Sequence, residues 1–321
     1  MGLRTRMRRW WLARVPASET WTLTQRNIYI LPTRAGVVFA ATLVLMLLAS
    51  INYQLNLGYA LSFLLAGAGL VSMHLTHGTL RGLTLHLRPT PAVFAGDAAM
   101  LEVVFVNPGR ARHGVALHFE GLGAHDAGSV WSDVPAQGQA SAQLSIVPPQ
   151  RGLHRVPVLV IETLFPFGLF RAWSLWHPAA TVLAWPRPET PAPPLPQAGA
   201  RADEQAARAA RSDGAEFDGV RAWRRGDTLR QVLWKKAARS GELVSRDTAG
   251  HAARELALEW QAASAAGVEQ RLSRLAAWVV EADRQGQPYR LSLPGRDLPA
   301  GRGEAQRRAA LQALALWDAA A

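Results

Sequence analysis

The run GVVFAATLVLMLLASI, Gly36 to Ile51, then NYQLN, Asn52 to Asn56, then LGYALSFLLAGAGLVSMHL, Leu57 to Leu75, decides how the rest of the chain is to be read. Each apolar run carries no charge and comes near the roughly 20 residues that cross a bilayer core. The polar, uncharged turn between them predicts a hairpin of two membrane helices, with Asn52 to Asn56 at the far headgroup layer. Ala66, Gly67, Ala68 and Gly69 would let the two helices approach closely.

Working outward, seven arginines precede the first run (Arg4, Arg6, Arg8, Arg9, Arg14, Arg26 and Arg34) against one acid, Glu19. The turn has none, while Arg81 and Arg88 follow the second run. Positive charge accumulates on the cytoplasmic side of a membrane, so both flanks, and with them both chain ends, are expected in the cytoplasm. The long basic leader and the immediate second span argue against a cleaved signal sequence.

From about Gly82 to Pro186 the apolar period becomes two. Leu83, Leu85 and Leu87 alternate with polar residues, as do Leu101, Val103 and Phe105, and Val115, Leu117 and Phe119. Further strands are predicted at 142–147, 154–161, 169–175 and 180–184, separated by Gly/Pro turns. About seven or eight such strands in about a hundred residues point to a β-sandwich of immunoglobulin or fibronectin type. Within it, Thr163 to Trp173 reads TLFPFGLFRAW. Left on the surface, these aromatics would mark a docking site; the reading adopted has Phe165, Phe167 and Phe170 filling the core, with Pro166 and Gly168 bending the strand.

Pro186 to Pro196 holds six prolines and predicts an extended connector. Beyond it, Gly214 to Asp247 crowds arginines and both lysines of the chain, Lys235 and Lys236, among Phe217, Trp223 and Trp234. Gly226 and Asp227 suit a turn and a helix N-cap. Leu229, Val232 and Leu233 then recur at helical spacing, setting Arg230, Trp234 and Lys235 on a shared flank. Guanidinium groups pair bidentately with carboxylates or phosphates, so the segment is either a buried ionic network or a partner-binding surface. Its candidate contact residues are Glu216, Phe217, Arg221, Trp223, Arg224, Arg225, Asp227, Arg230, Trp234, Lys235 and Arg239. A strand at Glu255 to Trp260, a helix at 268–285, a strand at 289–293 and a helix at 304–317 then predict a small α/β unit with partly parallel strands.

Composition narrows the chemistry. With 321 residues and 49% hydrophobic content, two ordinary domains fit. There is no cysteine, hence no disulfide, thiol nucleophile or cysteine metal site. The formal charge of +11 suits anionic lipid or acidic protein surfaces, and no nucleic-acid partner is expected for a membrane-anchored chain. No phosphate-binding glycine loop, H-E-x-x-H pair or G-x-S-x-G elbow occurs, so no cofactor or catalytic residue is assigned. His74 and His77 stand three apart, but at the end of a membrane helix they are taken as interfacial residues. The competing class is an enzyme that handles an anionic substrate through Glu216, Asp218 or Asp227 and neighbouring arginines.

The order G-x-E-F…R-x-W/Y-x-x-G-D…R…W-K…A-R is carried here by Gly214, Glu216, Phe217, Arg221, Trp223, Gly226, Asp227, Arg230, Trp234, Lys235, Ala238 and Arg239. It resembles the signature of the bacterial family catalogued as domain of unknown function 58, departing at Leu233, where many relatives carry an acid or histidine. NYQLN and the run Pro166 to Phe170 are similar to the same family. The resemblance implies a membrane-anchored α+β protein with two transmembrane helices, an immunoglobulin/fibronectin-like β-sandwich and a small α/β domain resembling a degenerate von Willebrand factor A fold. There Glu259, Gln261 and Ala263 stand where Mg²⁺ ligands would be, so the metal site is expected to be absent. The division expected is 1–34 basic cytoplasmic segment, 35–75 hairpin, 82–186 sandwich, 187–202 linker and 203–321 α/β domain. The resemblance also implies partnership with a MoxR-type AAA ATPase and a transglutaminase-like membrane protein.

Overall fold

The alternation that begins at Gly82 builds strands, as its period of two requires, but the sheets also take in residues ahead of the apolar hairpin. The computed structural model describes residues 16–196, 220–222, 244–246 and 255–318. The chain divides into two units, Met1–Ala184 and Trp185–Ala321.

In the first unit, β1 (Ala17–Ser18), β2 (Thr20–Thr22) and β3 (Tyr29–Pro32) come before the helices α1 (Arg34–Asn52) and α2 (Asn56–Leu80). After them run β4 (Thr84–Leu87), β5 (Val93–Phe94), β6 (Ala99–Asn107), β7 (Arg112–Phe119), β8 (Val130–Val134) and β9 (Gly138–Ile146). The unit closes with β10 (Gly152–Arg155), β11 (Leu159–Thr163), β12 (Phe170–Pro178) and β13 (Thr181–Trp185). One sheet has the order β1-β12-β11-β7-β8, with β3 also on β12; a second has β2-β4-β6-β9; a third has β10-β13-β5. All three feed one core, in which Leu85, Phe105, Leu117, Ile161, Trp176 and Val182 are fully buried. Trp176 also donates its indole N–H to Ser18, tying β12 to the leader.

Within the basic segment expected at 1–34, the described residues thus include three short strands that sequence reading did not anticipate. Thr20–Thr22 and Tyr29–Pro32 are too short to show a period, yet they complete the sheets on which β4 and β12 would otherwise be edges. The expected strand at 154–161 is split between two sheets, because Pro157 lacks the N–H that a continuing ladder needs. The second helix runs five residues past the expected Leu75, and its last residue, Leu80, enters the core.

The two helices are long and apolar enough to cross a membrane. At 1.5 Å per residue, 19 residues give about 28 Å, close to a bilayer core of about 30 Å. Their surface is inverted relative to a soluble helix pair. Val38, Leu45, Leu57, Phe63, Leu64 and Leu70 point outward, while Ser50, Ser62, Ser72, Thr76 and Thr79 are buried. Only 11% and 17% of their most apolar windows are buried among the described residues. Small residues permit the contact: a Cβ on Gly58 would stand 2.2 Å from Ser50 Oγ, and one on Gly69 3.2 Å from Phe39. The buried hydroxyls of Ser50, Thr76 and Thr79 donate to carbonyls one turn back.

The second unit contains β14 (Val220–Ala222) antiparallel to β15 (Val244–Arg246), then β16 (Leu256–Glu259), α3 (Val268–Arg284), β17 (Tyr289–Leu293), β18 (Arg296–Gly301) and α4 (Glu304–Ala315). β16 and β17 are parallel across α3, and β18 returns antiparallel on β17. Leu272, Leu275, Ala276 and Val279 of α3, with Leu311 and Leu314 of α4, form the buried stripes their spacing requires. The proline-rich stretch read as a connector lies along α3. Glu189 pairs with Arg274 at 2.8 Å, and the Trp278 indole donates to the Pro194 carbonyl.

Candidate functional site

Of the residues singled out in Gly214 to Asp247, only the backbone of Arg221 is described, in β14 opposite Ser245. Glu216, Phe217, Asp218, Trp223, Arg224, Arg225, Asp227, Arg230, Trp234, Lys235 and Arg239 lie outside the described residues.

The carboxyl ends of parallel strands are where α/β folds place ligands, and here β16 and β17 end at a cleft of about 390 Å³ lined by Glu259, Trp260, Gln261 and Ser292 to Pro294. Trp260 packs on Trp317 with ring centroids 4.5 Å apart, and the Arg271 guanidinium lies 5.5 Å from the Trp260 ring. Mg²⁺ does not suit this end. Ala263 is fully buried and offers no donor atom, and the Glu259 carboxylate faces Arg290 Nη2 at 3.5 Å. Among the described residues no three His, Asp or Glu side chains converge as metal ligands. The tryptophan pair packs beside this cleft. Trp317→Ala is expected to cost about 0.5–1.5 kcal/mol beyond the lost burial, read as a lower denaturation midpoint of the full chain.

A second cluster, not anticipated from sequence, sits in the sheet of the first unit. β11 is buried along its whole length. Leu159 and Ile161 face the core, which sends Val160 and Glu162 to the other side. Glu162 lies opposite Ala116 on β7 and Trp173 on β12, so His118 and Arg171 are its diagonal neighbours. Arg171 Nε donates to Glu162 Oε2 at 2.6 Å, His118 Nε2 stands 3.6 Å from the same oxygen, and His118 Nδ1 lies 3.0 Å from the Phe119 carbonyl. His118 and Glu162 are 1% and 4% exposed, whereas Arg171 is 42% exposed and lies over Trp173, itself against Tyr29.

Burial works against both charges, and the pairing overcomes it. Burial would raise the Glu162 carboxyl, but His118 and Arg171 hold it below its ordinary value. Burial would lower His118, but Glu162 and the Phe119 carbonyl hold it above 6.5. The stability of the unit therefore has two pH limbs. The Glu162 contribution is present above the ordinary carboxylate range and lost as pH falls through the depressed value; the His118 contribution is complete below about 6.5 and lost as pH rises through the raised value. A melting temperature measured against pH is expected to peak between the two, and His118→Gln to flatten the alkaline limb. A lone acid inside LVIET and a lone histidine inside VALHF are the sequence signals for this cluster.

The third place is where the apolar hairpin meets the β sheets. Thr33 caps α1, its hydroxyl accepting from Gly36 N at 3.1 Å and donating to the Gly168 carbonyl at 2.5 Å. Its own N–H donates to the Leu169 carbonyl at 2.9 Å. Arg112 Nη1 donates to the Gly78 carbonyl at 2.6 Å and Nη2 to that of Arg81 at 3.2 Å, closing the last turn of α2. Burial, then the neighbouring Arg110, lowers the Arg112 pKa. β3 and β4, which flank the helices in sequence, belong to sheets sharing one core, so the hairpin is mounted on the β layer at both of its ends. The expected core role of the Pro-Phe-Gly-Leu-Phe turn fails here. Phe165 and Phe167 are 39% and 68% exposed, because the turn is drawn to the first turn of α1 and away from the core.

Among the three, this junction is the candidate functional site, since it fixes where the β layer stands relative to two apolar helices. No protein-family model matches the chain, and no curated protein matches it.

Proposed function

We propose that the chain is a bacterial inner-membrane protein anchored by the α1–α2 hairpin, with both flanks of the hairpin in the cytoplasm, acting as an interaction scaffold. What carries this is the inverted surface of the hairpin, large apolar side chains outward and hydroxyls inward, between strands of one shared core. Strands that share a core lie on one side of a membrane, and the arginine excess assigns that side to the cytoplasm. The first unit serves as an immunoglobulin/fibronectin-like mount. The second, a degenerate von Willebrand factor A-like unit of the domain of unknown function 58 family, presents the arginine-aromatic segment to a MoxR-type AAA ATPase and a transglutaminase-like membrane partner. The test has two stages. The full chain is expected to stay with membranes through alkaline extraction and leave only with detergent; release by alkali would sink the anchor. Affinity purification from detergent extracts is expected to bring down an AAA ATPase, and Arg224→Glu/Arg225→Glu to lose it; an extract without that ATPase would overturn the partnership.

A further inference from the structure

The β11–β12 turn, Leu164 to Leu169, and the β6–β7 turn, Pro108 to Ala111 with Arg112 opening β7, both lie at the hairpin end of the β layer. The first is bonded to the start of α1 through Thr33, the second to the end of α2 through Arg112. Phe167 is two residues from Leu169, hence within about 7 Å along the chain of the backbone bonded to Thr33. It is 68% exposed, and Leu31, just ahead of the helix, is 59% exposed. Phe165, two residues before it and 39% exposed, has its ring centroid 5.9 Å from that of His113. Arg34 follows the cap Thr33, Arg81 ends α2 and Arg110 lies in the β6–β7 turn; all three are exposed, and among the described residues no carboxylate pairs with any of them.

We propose that this end of the β layer is itself a lipid-binding face. Phe165 and Phe167 insert at the headgroup–acyl boundary, and Arg34, Arg81 and Arg110 meet anionic headgroups. The occupant follows from continuity and charge. A residue hydrogen-bonded to the first turn of a bilayer-crossing helix is held at the level where aromatic side chains favour the interface. Unpaired arginines at that level face the negative surface of the cytoplasmic leaflet. The β layer is thus clamped flat against the membrane and does not swing on a tether.

The inference rests on the hairpin crossing the bilayer, and the test separates the two. The chain has no cysteine, so Phe167→Cys, Phe165→Cys, Leu45→Cys and Leu153→Cys each give a single site for an environment-sensitive fluorophore. The full chain is reconstituted into phosphatidylcholine vesicles with or without phosphatidylglycerol, carrying a doxyl quencher near the headgroups or near the bilayer centre. The label at 45, midway along α1, is expected to be quenched by the deep probe, and that at 153, on exposed β10, by neither. Labels at 167 and 165 are expected to shift blue and to be quenched by the shallow probe, more so with phosphatidylglycerol. Arg34→Gln/Arg81→Gln/Arg110→Gln should abolish the phosphatidylglycerol increment. Quenching at 45 with none at 165 or 167 overturns the lipid-binding face and leaves the anchor standing. No quenching at 45 overturns both. Quenching at 167 that ignores phosphatidylglycerol overturns the headgroup contact.

Discussion

Glu162→Ala is expected to lower the stability of the first unit by about 3–5 kcal/mol, the range for removing one member of a buried ion pair. The carboxylate is 4% exposed and answers two cations, so its loss strands His118 in a site with 1% exposure. The two partners do not suffer equally. Arg171 is 42% exposed and can turn its guanidinium to water, whereas His118 can only shed its proton. The loss should therefore be larger near pH 5, where giving up that proton costs most, and smaller near pH 8, where the imidazole sheds it readily. Glu162→Gln keeps the shape without the charge and should fall between wild type and Glu162→Ala. Thermal or chemical denaturation of the detergent-solubilised chain, followed by near-ultraviolet circular dichroism at both pH values, gives the comparison. Equal losses at the two pH values would mean that His118 is not held charged by Glu162. A double-mutant cycle with His118→Gln isolates the coupling.

Much of the secondary structure was legible because it follows from period. The hairpin shows as two uncharged apolar runs, and the described helices cover them with ends displaced by a few residues, Arg34–Asn52 and Asn56–Leu80. The strands of β6, β7 and β9 show as alternation, and the helix between β16 and β17 as a stripe of Leu272, Leu275, Ala276 and Val279. What stayed hidden depends on partners distant in sequence. β1, β2 and β3 are two to four residues long and gain their place by pairing with strands up to about 160 residues away, as Ala17 does with His177. The exposure of Phe167 turns on a hydrogen bond between Thr33 and Leu169, which no local pattern encodes. The Glu162 cluster arises from diagonal neighbours on three strands, so composition hints at it only through charged residues set in apolar runs. The arginine-aromatic segment, the strongest motif in the sequence, falls almost wholly outside the described residues.

Gly36 gives the sharpest test of the junction, because helix propensity and packing predict opposite signs. In an open helix, replacing glycine by alanine stabilises by up to about 1 kcal/mol, since the backbone loses less entropy. Gly67 of α2 is such a site, with no atom of the described residues within 4 Å of where an added methyl group would sit, and Gly67→Ala should be neutral or mildly stabilising. At Gly36 a Cβ would stand 2.0 Å from the Leu169 carbonyl oxygen and 3.0 Å from its carbon. Both are backbone atoms, and the same oxygen already accepts the Thr33 N–H, so neither side can yield without breaking the bond that seats α1 on the β11–β12 turn. Overpacking costs about 1–3 kcal/mol where side chains can move, and a backbone wall leaves less room to relax. Gly36→Ala is therefore expected to destabilise despite its propensity, and Gly36→Val, which adds two more carbons and a stiff χ1, to cost on the order of 3 kcal/mol. Because the strain falls on Gly168 and Leu169, limited proteolysis should open the 164–169 turn in both variants before the rest of the β layer. A Gly36→Ala protein as stable as Gly67→Ala, with that turn still protected, would mean that α1 is not seated on Leu169 and that the hairpin and the β layer are joined by chain connectivity alone.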